Sequence, residues 1–162
     1  LARMLEAGED PLFIARRLLI FASEDIGNAD PWALSLAMST HQAVERLGLP
    51  EGRIPLAQAT TYLASAIKSN AAYLALGRAQ EALKRGGSLP VPMHLRNAPT
   101  HLMKELGYGK GYVYPHDRPD HFSDESNLPP ELTKTDFYRP DTQGAEAAIS
   151  ERLKGWRQRR KK

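Results

Sequence analysis

In DPLFIARRLLIFA, residues 10–22, an aspartate stands before a proline, and the run that follows is apolar on nearly every side. A carboxylate in that place accepts the first free N–H groups of a helix. Proline at the next position gives up only an N–H that the helix would leave unused. The segment therefore predicts a helix opening at Pro11, interrupted in its apolar character only by Arg16 and Arg17 and so placed centrally. Asp30-Pro31 repeats the signal. After it Trp32, Leu36, Thr40, Ala43, Val44 and Leu47 read as one buried stripe, closed by Gly48 and Pro50. A third helix is expected from Pro55, burying Leu56, Ala59, Leu63 and Ile67. A fourth, from Ser69 to Arg85, is expected to bury Tyr73, Leu76 and Leu83 before Gly86-Gly87 ends it.

Short connections between these helices imply antiparallel neighbours. The alanines from Ala57 to Ala79 would let helix axes approach closely, within the subunit or between subunits. No segment alternates apolar and polar residues between turn signals, so no strand is expected. The fold class is all-α, a compact antiparallel helical domain. Leu1, Met4 and Leu5 are at helical spacing before Gly8, and Leu1 is not a start methionine, so the sequence is expected to begin inside a helix as a piece of something longer. A short helix after Pro99 carries Leu102, Met103 and Leu106 and stops at Gly107.

From Gly107 to Asp141 the composition changes to three Gly, five Pro, four of the six Tyr and two of the four Phe. Loops of this length inside compact domains are usually functional or disordered, and the aromatic content argues against disorder. The segment 107–141 reads as an extended arm held across the helices by its rings. A last helix from Thr142 aligns Ile149, Leu153 and Trp156, with Glu146 early and basic residues late, as the helix dipole prefers.

Apolar residues at 41% and charged residues at 25% are the balance of a globular protein. There is no apolar run of membrane-spanning length. Without cysteine, disulfides and thiolate metal sites are excluded, and a reducing cytosolic setting is the default. The net charge of +3 is unevenly spread: residues 151–162 carry seven Lys/Arg against one Glu, which leaves residues 1–150 at −3. A nucleic-acid argument therefore rests on the tail: Arg152, Lys154, Arg157, Arg159, Arg160, Lys161 and Lys162, with Trp156 a candidate stacker. A solvated terminus with Trp156 as an apolar anchor explains the same residues.

ELGYGKGYVYPHD, residues 105–117, raises the question of a ligand. A nucleotide P-loop has different glycine spacing, a Ser/Thr after its lysine and a place between strand and helix, so Gly107 is better explained as a helix C-cap. His116, Asp117, Asp120 and His121, with His94 and His101 nearby in sequence, are hard metal ligands. Their loop placement does not present two of them on one face as a helical H-E-x-x-H does. Tyr108, Tyr112 and Tyr114 beside Lys110 form a candidate platform for bases or for a neighbouring subunit, although tyrosines in such arms more often pack their rings locally. No nucleophile–base–orienter group, G-x-S-x-G or Walker motif is present, and Glu24-Asp25 reads as a surface or helix-end feature.

Three blocks together carry a family resemblance: GEDPLFIARRLLIFASEDIGNADPWAL (8–34), LPEGRIPLAQATTYLASAIKSNAAYLAL (49–76) and PVPMHLRNAPTHLMKELGYGKGYVYPHD (90–117). They resemble the C-terminal region of the MgsA/RarA replication-associated recombination AAA+ ATPases, relatives of Werner-helicase-interacting protein. One departure is Ile67, where proline is expected. The resemblance implies that the nucleotide-binding elements, with ATP and Mg, lie upstream of Leu1. No catalytic, cofactor or metal-binding residue is then expected in this segment. It implies residues 1–7 as the end of the AAA+ lid, 8–141 as a helical domain that forms a homotetramer, and 142–162 as a last helix with a basic tail. It further implies action at stalled forks in the cytoplasm near the nucleoid, with DNA and single-stranded-DNA-binding protein as partners.

Overall fold

The computed structural model describes residues 1–87, 89–118 and 120–159. Seven α-helices and short π and 3-10 turns make up its regular structure, and no strand occurs among the described residues. The chain forms two compact units, residues 1–77 with 138–151, and residues 78–137 with 152–162.

The first unit opens with α1 (Ala2–Glu6) and α2 (Pro11–Phe21), the latter capped as its sequence predicts, with the Leu12 N–H donating to Asp10 Oδ1 at 3.1 Å. α2 packs on α3 (Trp32–Leu47), and both pack on α4 (Arg53–Ser65). Asp30 performs the same capping service for α3, accepting from the Trp32 N–H at 3.1 Å while its other oxygen accepts from the Tyr62 hydroxyl at 2.7 Å. That bond to the carboxylate, more than burial, raises the Tyr62 pKa. Ile14, Ala15, Val44 and Leu56 make one buried cluster, with Leu1, Met4 and Leu5 of the α1 segment packed against it. Ala22, Ile26, Ala33, Ala37 and Leu63 make the other.

The buried stripe of α3 is Ala33, Ala37, Thr40 and Val44, while Trp32 is 75% exposed and Leu47 is exposed. Of the expected stripe Thr40 and Val44 are buried, while Trp32 and Leu47 give way to Ala33 and Ala37. Small side chains win the inward position because they let backbones approach, which dispersion between close-packed atoms rewards. Between α2 and α3 the helix widens into a π turn over Ala22–Ile26 and tightens again over Gly27–Ala29. The Ser23 hydroxyl donates back to Leu19 and Ile20 carbonyls at 3.1 and 3.0 Å, and Glu24 and Asp25 project outward.

α4 buries Leu56, Ala59 and Leu63 as its spacing predicts, but it stops at Ser65. Ala66 is extended, and Ile67 lies outside the helix and exposed rather than in the stripe. Lys68 turns back to donate its ammonium to the carbonyls of Leu63 and Ala66 at 3.0 and 2.5 Å, meeting acceptors a helix end leaves unpaired. The break persists without a proline at 67. Ser69 then caps α5 (Ala71–Gly86) through the Ala71 N–H at 3.2 Å. Along α5 only Ala71 is buried; Tyr73, Leu76 and Leu83, expected inside, are 58%, 60% and 56% exposed.

Residues 138–151 complete the first unit. The Ala145 N–H donates to the Ala29 carbonyl at 2.8 Å, and Gly144, at φ +53°, crosses so near that a Cβ would stand 2.2 Å from that same oxygen. Only glycine meets both conditions. α7 (Glu146–Arg159) begins here, four residues after the expected start, with its first residue fully buried.

The second unit holds α6 (His101–Glu105), capped by Thr100, whose hydroxyl accepts from the Met103 N–H at 3.3 Å. Single-turn 3-10 segments occur at Met93–Leu95, Pro115–Asp117 and Pro130–Leu132. Arg78 donates to the Phe137 carbonyl at 2.9 Å, holding the two ends of the 78–137 segment together.

Candidate interaction surfaces

Three places combine chemistry with position. In the first unit, the Glu146 carboxylate is wholly buried and accepts from the Ser69 hydroxyl at 2.6 Å, the Tyr138 hydroxyl at 2.7 Å and the Asp141 N–H at 2.7 Å. Tyr138 in turn accepts from the Asn28 amide at 3.1 Å. Burial pushes the Tyr138 pKa up. Its donation to the carboxylate adds to the rise, against the opposing bond from Asn28. A buried anion needs such donors, and three of them make this a fastening between 138–146 and the loops at 28 and 69. The sequence gives Glu146 as an N-terminal helix acid; nothing local marks it as buried.

The second place is apolar. Tyr73 and Leu76, in the first unit, share a face of α5 by helical periodicity and are exposed, and Leu83, in the second unit, is exposed as well. In the first unit Trp32 and Ile54 are 75% and 71% exposed. Of the small residues from 57 to 79, Ala59 and Ala71 are buried, whereas Ala57, Ala64 and Ala72 face outward.

The third place, in the second unit, is where the 120–136 segment meets the end of α7. The Phe122 ring stacks on Trp156, 5.2 Å between centroids and 20° between planes. Arg159 lies 4.6 Å from the Phe122 centroid and pairs with Asp120 and, at 3.2 Å, with Asp124. Arg157 pairs with Asp136 at 3.1 Å. The hydrogen bond from Arg159 holds the Asp120 carboxyl below its usual range, and the same bond raises Arg159.

Arg152 and Lys154 are exposed on the same helix; Arg160, Lys161 and Lys162 lie outside the described residues. The tyrosines of the opening turn separate. Tyr108 is half-buried under Arg96, whose guanidinium is 5.1 Å from its ring, while Tyr112 and Tyr114 are 51% and 52% exposed beside exposed Lys110. Gly107, Gly109 and Gly111 all have positive φ, at +83°, +71° and +81°. Their spacing therefore serves a coiled backbone, as the C-cap reading of Gly107 anticipates. The His116 ring lies 5.1 Å from Tyr114 and 4.9 Å from His121, in a run of tilted rings. Among the described residues no three His, Asp or Glu side chains are grouped to hold a metal ion.

A groove of about 560 Å³ runs between the 90–96 and 126–133 segments of this unit. Pro90, Pro92, Leu128 and Pro130 are among its walls, and His94 lines it with an Nε2 that is buried and unpartnered.

The fold is that of an all-helical domain, and none of its helices among the described residues is long and apolar enough to cross a membrane. The profile described as MgsA AAA+ ATPase C terminal matches residues 1–157, and the chain belongs to that family. It is 50% identical over 158 residues to replication-associated recombination protein A of Coxiella burnetii, covering 97% of this chain and 36% of that protein. The Escherichia coli K12 protein of the same name is 47% identical over 153 residues, covering 94% and 34%. ATPase WRNIP1 of Dictyostelium discoideum is 45% identical over 139 residues, 86% of this chain and 15% of the relative. The chain thus spans about a third of the length of the bacterial relatives.

Proposed function

We propose that this chain is the self-association module of a replication-associated AAA+ ATPase, supplying packing surface while nucleotide chemistry resides elsewhere in the protein. One observation carries the reading: the large apolar side chains of α5 point to solvent, with Tyr73, Leu76 and Leu83 each more than half exposed. A helix with such a face is ordinarily covered, because roughly 25 cal/mol is gained per Å² of apolar surface withdrawn from water. The expected assembly is a homotetramer. ATP and Mg would be bound by the AAA+ portion, and DNA and single-stranded-DNA-binding protein would be partners of the whole protein at stalled forks. Sedimentation equilibrium of the 162-residue chain tests the reading. The wild type is expected to associate, and Leu76→Glu with Leu83→Glu to shift it to monomer with unchanged helicity. A wild-type chain that stays monomeric at high concentration overturns it.

A second reading, nucleic-acid binding through the tail and arm, is favoured by the Phe122–Trp156 stack flanked by Arg157 and Arg159. Stacking rings beside guanidiniums is the chemistry that single strands use. Anisotropy of a labelled single strand against salt tests it; binding without salt dependence, or none, leaves assembly as the sole reading.

A further inference from the structure

The inference here rests on the nucleic-acid reading and concerns how that site is regulated. Three carboxylates from one stretch of arm, Asp120, Asp124 and Asp136, meet the two arginines near the end of α7. Between the first two, Phe122 lays its ring flat on the indole of Trp156. The segment therefore gives α7 what an unpaired strand would give it: oxyanions at intervals along one backbone, with a flat ring between them. Arg152, Trp156 and Arg159 follow one another at i, i+4 and i+7, so they share a helix face.

We propose that residues 120–136 form an internal strap on a single-stranded nucleic-acid site at the end of α7, and that phosphates and bases replace Asp120, Asp124, Asp136 and Phe122 on binding. The strap is displaceable because its ion pairs are wet. The arginine side chains are 36% and 40% exposed and the aspartates 52–59%, a setting in which water and salt leave an ion pair weak. A strand brings more phosphates than the arm has carboxylates and releases condensed counterions as it binds. Its bases stack on indole as Phe122 does. Duplex DNA fits less well, because its ring faces are already covered by neighbouring base pairs. The depressed Asp120 and raised Arg159 keep both groups charged around neutrality, so the competition is one of like charges for the same cations.

The test compares D120N/D124N/D136N with D117N/E125Q/E131Q, a charge-matched change at neighbouring carboxylates outside the three Asp–Arg pairs, using a fluorescein-labelled 20-mer of thymidylate and anisotropy at low salt. Opening the strap is expected to tighten binding at least fivefold over the control. Phe122→Ala, which leaves every charge in place, is expected to tighten it as well, and serves if the triple variant folds poorly. The chain has two tryptophans, so Trp32→Phe leaves Trp156 as sole reporter, and its emission is expected to shift when the oligonucleotide displaces Phe122. If wild type binds with salt dependence but neither opened variant exceeds the control, the strap is refuted and the nucleic-acid reading survives. If no variant binds, including the opened ones, both are refuted.

Discussion

Replacing Glu146 is the sharpest test of how the first unit is closed. In Glu146→Ala the acceptors for Ser69 Oγ–H, Tyr138 Oη–H and the Asp141 N–H vanish together, from bonds of 2.6, 2.7 and 2.7 Å around a side chain with no exposure. Each stranded donor would cost about 1–3 kcal/mol if it stayed dry. Water entering the vacated space recovers part of that, so removal of one member of a buried charged network, about 3–5 kcal/mol, is the expected total. For a chain of this size about 2–4 °C of melting temperature accompanies each kcal/mol, giving a fall of roughly 6–20 °C. Glu146→Gln keeps the shape and one oxygen but turns an NH₂ toward a donor, and should cost about 2–3 kcal/mol. Urea unfolding followed by far-UV circular dichroism reads both. A cycle with Tyr138→Phe adds a check the size of the loss cannot give: once the hydroxyl is gone, Glu146→Gln should cost less than in wild type, because one of its stranded partners no longer exists. Glu146→Gln within about 0.5 kcal/mol of wild type, or strict additivity with Tyr138→Phe, would show that the carboxylate is not what fastens the segment.

Gly144→Ala should destabilise by about 2–3 kcal/mol, since its Cβ would collide with the Ala29 carbonyl at an unfavourable φ; the urea midpoint checks this. Ile67→Pro should be neutral or stabilise by up to about 1 kcal/mol, because Ala66 already has the extended conformation that proline demands of its predecessor; a melting curve well below wild type would contradict it. Asp120 has its folded-state pKa depressed, so its contribution to arm docking is present above the ordinary value of 3.8 and is lost as pH falls through the lower folded value. Trp156 emission in a Trp32→Phe chain should accordingly hold steady near neutrality and change only in acid beyond that value.

The elements whose signals are local were legible in the sequence. Asp10-Pro11 and Asp30-Pro31 announce α2 and α3 because the capping atoms sit two residues from the groups they cap. Leu56, Ala59 and Leu63 mark the inner face of α4 because they recur at helical spacing. The inner face of α3 was legible in part: Thr40 and Val44 are buried as expected, but hydrophobicity favours Trp32 and Leu47, and only the neighbouring helices' demand for close approach turns Ala33 and Ala37 inward. Nor was the exposure of α5, since a face meant for solvent and one meant for another surface share a composition. At the arm, the basic residues of α7 were evident from charge. Their carboxylate partners lie 35 and 39 residues away for Arg159, beyond any spacing rule. Glu146 escaped for the same reason, its bond to Ser69 spanning 77 residues.

Because residues 138–151 close the first unit and residues 78–137 belong to the second, the ribosome must translate the whole of the second unit's main segment before the first can be finished. At about 5–20 residues per second, the stretch 78–137 imposes a wait of roughly 3–12 s. During that interval Ser69 and Asn28 have been synthesised without the carboxylate and hydroxyl they will later meet. A nascent chain arrested before residue 138 would therefore be the more readily cut by protease in its N-terminal half.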